Sequence, residues 1–296
     1  MKKQLLASSI AALVAAAPLV ASAETTLYGN FQYEIGFLDD GDDRLVTQSY
    51  GDTYVGITGG EDLGGGASAF FTVEMDVIPN GGTETSILIA GLEGGFGSLT
   101  VGLDDNAFGL NYDHFDIFDG LAADSLEPLS EGSVSGLLYT TPSFGGFQAM
   151  LSVMNDDLSG ANKDYDVSLG LMYELGPVLL NAGLEYIDGE DATNYQVGAM
   201  YAAGDLSVGL LYQSFDKIAD VFIAPLTYDF GRVGLKAAVR YIDFDGGSDA
   251  TEFGLEAAYN FSGRTAAFAS VFTEDKNRTL AGKDLTQFTV GVRHAF

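Results

Sequence analysis

Apolar and polar residues alternate singly along most of the chain after residue 24. Leu27, Phe31, Tyr33, Ile35 and Phe37 share one parity, and Tyr28, Asn30, Gln32 and Glu34 share the other. Ala67, Ala69, Phe71, Val73, Met75 and Val77 likewise oppose Ser68, Thr72, Glu74 and Asp76. Val233, Leu235, Ala237, Val239 and Tyr241 oppose Gly234, Lys236, Ala238 and Arg240. A period of two puts neighbouring side chains on opposite faces of an extended strand. No segment carries a helical period of comparable strength.

About sixteen such segments follow one another, each near the ~9–11 residues that cross a bilayer as a tilted strand. They span 25–37, 49–59, 67–77, 84–93, 98–104, 133–141, 146–155, 164–175, 178–187, 194–202, 205–214, 220–229, 233–243, 251–261, 265–274 and 285–296. Their connections alternate in kind. Short turns such as Gly94–Gly97, Gly176-Pro177 and Ala203-Gly204 alternate with longer acidic loops such as 104–132, 156–163 and 274–284. Short turns therefore gather at one end and long loops at the other, as in an outer-membrane barrel. A soluble sandwich has no reason for that asymmetry, nor for so many strands with a continuous apolar face. The expected fold is all-β, a transmembrane antiparallel β-barrel of 16 strands with short periplasmic turns and long extracellular loops. Closure removes the unpaired edges that hydrocarbon cannot tolerate. The 24-residue uncharged stretch Gly132–Asn155 breaks at Thr140-Thr141-Pro142-Ser143 and Gly145-Gly146, so it reads as two strands and a turn, not as a spanning helix.

The first 23 residues are of another kind. Lys2 and Lys3 precede an apolar core, Leu5 to Val20, and Ala21-Ser22-Ala23 has the form of a cleavage site. Residues 1–23 are expected to be a cleaved signal peptide and 24–296 a single pore domain. Cleavage would leave 11 basic against 42 acidic residues, a net charge of −31. Such a charge excludes a nucleic-acid partner, whose phosphates would be repelled. The absence of Cys excludes disulfides, thiolate metal sites and thiol nucleophiles.

Several runs resemble the Gram-negative general porins. They are Leu27-Tyr28-Gly29, the stretch Tyr54 to Gly66 with Ala69-Phe70-Phe71 after it, Ala90 to Gly102, and Leu138 to Phe147. The final stripe Phe288, Val290, Val292, His294 and Phe296 resembles the strand signal read by the outer-membrane assembly machinery. The resemblance covers essentially all of 24–296. It implies a bacterial outer-membrane homotrimer of sixteen-stranded pores, passively passing small hydrophilic solutes and ions, with the third long loop folded inward as the constriction. Lipids and lipopolysaccharide are the surroundings it implies.

The residues alone locate that loop at 104–132, the longest connection without a strand pattern, and leave open whether it is an outer lid or turns inward. It carries eight acids, no Lys or Arg, and the aromatics Phe108, Tyr112, Phe115 and Phe118. In the family such acids face a basic cluster on the opposite wall. Here that cluster is thin: only Lys236, Arg240 and Arg293 lie on polar strand faces, and Leu103-Asp104 stands where many relatives carry Arg after the Gly. The expected constriction is Asp113, Asp116, Asp119 and Glu127 against Arg240, with Lys236 secondary. Glu34, Glu74 and Asp76 are further lumen acids, and a cation-preferring channel is the expected outcome.

Two outer runs could bind Ca²⁺ or Mg²⁺ through their oxygen density: Asp39, Asp40, Asp42 and Asp43, and Asp243, Asp245 and Asp249. Neither has EF-hand spacing, and acidic loops bathed in water are the plainer account. No cofactor is expected otherwise. A barrel enzyme would need a nucleophile–base pair. Only His114 and His294 exist, with no Ser two residues after either. The alternatives are a substrate-specific outer-membrane channel for a sugar or a cationic solute and, further off, a structural or adhesive surface barrel with a plugged lumen.

Overall fold

An alternating strand is stable only where each of its faces meets a suitable medium, and this chain offers an oily face and a wet one. A computed structural model describes residues 24–78, 82–118, 134–155, 165–279 and 282–296. The expected signal peptide, Asp119, Glu127 and the whole 156–163 loop lie outside the described residues. The strands are β1 (Glu24–Asp39), β2 (Arg44–Ser49), β3 (Tyr54–Gly64), β4 (Ala67–Ile78), β5 (Gly82–Gly94), β6 (Gly97–Asp104), β7 (Val134–Thr140), β8 (Phe147–Asn155) and β9 (Asp166–Leu175). They continue as β10 (Val178–Ile187), β11 (Ala192–Ala203), β12 (Leu206–Phe215), β13 (Ala219–Asp229), β14 (Val233–Phe244), β15 (Asp249–Asn260), β16 (Thr265–Glu274) and β17 (Leu285–Ala295).

Every neighbouring pair is antiparallel, and β1 pairs β17 from Asn30 opposite Ala295 to Asp39 opposite Thr286. The sheet is thereby closed. Both β2 and β3 pair with β1, at Glu34–Asp39 and Glu24–Asn30 respectively. They are two halves of one stave, so seventeen strand segments make a barrel of sixteen staves. The seam is held at both ends. At the inner end Phe296 N donates to Gly29 O at 3.0 Å and Gly29 N to Phe296 O at 3.3 Å. At the outer end Lys283 Nζ lies 2.9 Å from both Asp40 and Asp42.

The sorting of faces is the expected one. Leu210 on β12 is 58% exposed and points outward, while its neighbour Leu211 is fully buried within the barrel. Gln32, Glu34, Ser152, Gln196 and Glu252 are likewise buried inside, and Leu27, Val46, Leu88 and Val197 are exposed outside. Dozens of outward apolar side chains, each worth ~1.5–3 kcal/mol on leaving water, would make the bare barrel insoluble. Hydrocarbon removes the conflict.

The second predicted segment, 49–59, differs most. The strand breaks at residues 50–53, because Thr53 inserts its hydroxyl where a ladder partner would stand. Its Oγ1 accepts from Gln32 N at 2.9 Å and donates to Gln32 O at 3.0 Å. Gly51 turns through φ +44 beside it, and a Cβ there would lie 2.5 Å from Glu34 Oε1. That position is closed to side chains on both counts.

Candidate functional site

The interior is shaped by the connection between β6 and β7, whose described part is 105–118. Asn106 starts its first turn: Oδ1 accepts from Phe108 N at 2.9 Å and Gly109 N at 2.8 Å. Further turns follow, from Leu110 N to Asn106 O and from Phe115 N to Tyr112 O. The aromatics then fix the direction. Phe108, Tyr112 and Phe115 bury themselves against Leu211, Phe215, Val221, Ile223 and Ile242 on the inner wall of β12–β14. Phe118 packs on Ala238 and Phe272, its ring 5.0 Å from that of Phe272. The loop therefore runs inside the barrel, past β8–β12 and on to β14 and β16, as the family resemblance implied.

The inner wall beneath it departs from the expected polar lumen face. Leu211, Val221, Ile223 and Ile242 point inward and are dry, because the loop covers them. The signal was present in Val221-Phe222-Ile223-Ala224, which is apolar on both faces of a strand whose outer face alone meets lipid.

Polar wall groups clasp the start of the loop. Ala107 N donates to Ser152 Oγ at 3.0 Å and Phe108 N to Ser168 Oγ at 3.3 Å. Gln196 Nε2 donates to Phe108 O at 2.7 Å, and Asn181 Nδ2 to Asn111 O at 2.8 Å. Asn106 Nδ2 donates to Glu185. Gly170 makes room for this approach: a Cβ there would lie 2.5 Å from Ala107 O. None of these anchors was foreseen, because a wall residue's partner in a loop leaves no periodic trace.

The charges separate around the lumen. Asp113 is half-buried on the loop, and its carboxyl is pushed up to about 8, first by burial and then by the neighbouring charges of Asp105, Asp116 and Asp104. Asp116 is exposed. His114 brings no positive charge, since burial lowers its pKa below the ordinary imidazole value. Glu34 is buried and accepts from Gln32 Nε2 at 2.7 Å, whereas Glu74 and Asp76 are half-buried around Ser86 Oγ, at 3.4 and 3.2 Å.

Basic groups collect on β14–β17. Arg240 is fully buried, with Nε 2.8 Å and Nη2 2.6 Å from Glu252 Oε2. The same carboxylate receives Arg278 Nη1 at 3.0 Å, from the loop between β16 and β17. Four residues along, Lys236 stands in register with Glu256, which is held by Arg293 Nη2 at 3.0 Å. Arg240 thus presents its charge to Glu252 within the wall. Arg278 was not foreseen, because nothing in the period of a strand sets where a loop side chain points.

Of the seven outer acids considered for Ca²⁺ or Mg²⁺, Asp39 pairs with Arg44 at 2.9 Å, while Asp40 and Asp42 share Lys283. Asp40 is drawn down to about 2, first by the backbone N–H of Asp43 and then by Lys283. Among the described residues no three acidic or imidazole groups come together in a way that could hold a metal.

The chain matches the family described as Gram-negative porin over residues 9–280. It is 28% identical to the major outer membrane protein P.IB of Neisseria lactamica over 346 aligned positions that cover all of both chains. The fold is similar to that of an anion-selective porin from Comamonas acidovorans, with a TM-score of 0.79, 22% identity and coverage of 93% of this chain and all of that one. It is also similar to OmpT of Vibrio cholerae in its trimer form, with a TM-score of 0.69, 16% identity and coverage of 93% and 100%.

Proposed function

Because this chain belongs to the Gram-negative porin family, an outer-membrane barrel by its strands and its relatives, we propose that its lumen passively passes small hydrophilic solutes and prefers cations. The observation that carries the preference is the company Asp113 keeps: Asp105, Asp116 and Asp104 all act on it as like charges. Glu74 adds to the field at Asp104 from the adjoining wall. The cations of β14–β17 are largely taken up by Glu252 and Glu256. Two unit charges ~8 Å apart at an effective dielectric of ~20 interact by roughly 2 kcal/mol, several times the thermal energy, so a lane lined by acids concentrates cations. Asp113, Asp116, Asp119 and Glu127 are the constriction acids of this reading, with Arg240 and Lys236 setting the opposite wall. The porin from Comamonas acidovorans is anion-selective, but at 22% identity the likeness carries its fold and not its lumen charges.

The test is the reversal potential of the reconstituted protein across a potassium chloride gradient. A sign favouring potassium, reduced by Asp116→Asn, is expected; a sign favouring chloride overturns the preference. A dedicated sugar or cationic-solute channel would instead show conductance that saturates with that solute.

A homotrimer belongs to the same reading. Outward rings mark the outer membrane interface at Tyr165, Tyr186, Tyr195, Phe222, Phe288 and Phe37, where amphipathic and aromatic side chains settle. From β3 to β8 the corresponding outward positions are Val55, Met75, Val77, Thr85, Leu103 and Val153, none of them aromatic. This face keeps inner-end rings at Phe96, Phe144 and Phe147 and lacks only the outer ring; the missing outer ring fits protein rather than lipid, which supports subunit contact there.

A further inference from the structure

We propose that Glu185 is the positioning residue of the inward loop, holding it to the wall through the side chain of Asn106. Glu185 projects from β10 into the barrel and is 1% exposed. One carboxylate oxygen accepts from Asn106 Nδ2, and the other from Asn194 Nδ2 at 3.0 Å. Neither amide is free to turn over. Asn106 Oδ1 is committed to the N–H groups of Phe108 and Gly109, and Asn194 Oδ1 accepts from Asp216 N at 3.2 Å. Rotating either amide would set an NH₂ against backbone N–H donors. Both oxygens of residue 185 must therefore accept, which is what an ionised carboxylate does and a neutral amide cannot.

The chain of bonds runs unbroken from the first turn of the loop, through β10 and β11, to the outer turn between β12 and β13. Four other clasps differ in kind. Ser152, Ser168, Gln196 and Asn181 bond the loop's backbone, which any loop sequence would offer. Asn106 with Glu185 is a side-chain pair buried at the loop's entry, so it selects one seat. Removing its complementarity leaves a buried donor facing a donor, a costly arrangement in a dry place.

The pair can be exchanged. In Glu185→Gln one Asn donor faces an NH₂, and in Asn106→Asp two carboxylates face each other. In the double variant the carboxylate introduced at 106 keeps one oxygen on Phe108 and Gly109 and presents the other to the amide introduced at 185. The oxygen of that amide still accepts from Asn194. A double-mutant cycle read by single-channel current in a planar bilayer tests this. Wild type is expected to show one steady conductance level. Each single variant should flicker between levels, with the time spent in the released level raised roughly tenfold, as loss of one charged hydrogen bond implies. The double variant should return to the steady trace. A Glu185→Gln trace identical to wild type overturns the proposal, as does a double variant as unsteady as the singles. If Glu185→Gln does not fold, a double variant that folds and conducts steadily supports the proposal, and one that also fails to fold overturns it. The inference rests on the chain being a channel and not on its ion preference: a steady pore that prefers chloride would remove the preference and leave the latch.

Discussion

Asp113 sits among carboxylates on a loop that is itself partly shielded from water, and both facts favour its protonated form. With its pKa near 8, it carries a proton at pH 7 and loses it above pH 8. Its negative charge therefore appears as pH rises. Cation preference in a bilayer should increase on titration from pH 7 to 9, and Asp113→Asn should remove that increase while leaving the preference at pH 7 close to wild type. Parity alone placed Lys236, Arg240 and Arg293 on the inward side of their strands, where Arg240 is in fact fully buried. It could not tell that Arg240 would be spent on Glu252, because the pairing of residue 240 with 252 depends on the register between β14 and β15. Asp113 and Asp116 were identifiable as loop acids; the closeness of Asp113 to Asp104 and Asp105 follows only from the turns that begin at Asn106.

At the scale of elements, strands and connections were unequally legible. The spans of β10 and β16 coincide with the predicted segments to the residue; in β10 Leu180, Leu184 and Tyr186 alternate with Asn181 and Glu185, as a strand between lipid and a polar interior requires. The break between β2 and β3 was hidden, because one threonine hydroxyl replaces a backbone partner without disturbing the pattern around it. The path of the inward loop came from family resemblance, and its seat became visible only where wall residues turn apolar on both faces. That seat has little slack. Gly170→Ala would bring a methyl to 2.5 Å from Ala107 O, and overpacking of this kind costs about 1–3 kcal/mol. The expected result is a folded barrel with a displaced loop, seen as an altered single-channel conductance and an unchanged circular dichroism spectrum; an unchanged conductance would count against so tight a seat.

For the molecule as a whole, the proposed subunit contact would divide the outer surface into a face for lipid and a face for a neighbour. Leu210 lies midway along β12 on the lipid side, where an introduced Arg costs ~2–4 kcal/mol near the bilayer midplane. Leu210→Arg should lower resistance to urea in vesicles while the subunits stay associated. Met75→Arg, on the face that lacks the outer aromatic ring, should instead release monomers that still conduct, as measured by native electrophoresis and light scattering in detergent. Retention of the oligomer by Met75→Arg would move the contact to another face.

The bonds between Gly29 and Phe296 place the beginning and the end of the barrel's strand order side by side. The wall is a ring in which every stave has two neighbours, so the place where the polypeptide enters is a matter of gene order and not of architecture. A circular permutant that bridges residues 296 and 24 with a short linker and opens at the turn after Ala203 would keep every rung of the ladder, with its new ends on the same side of the membrane as the old.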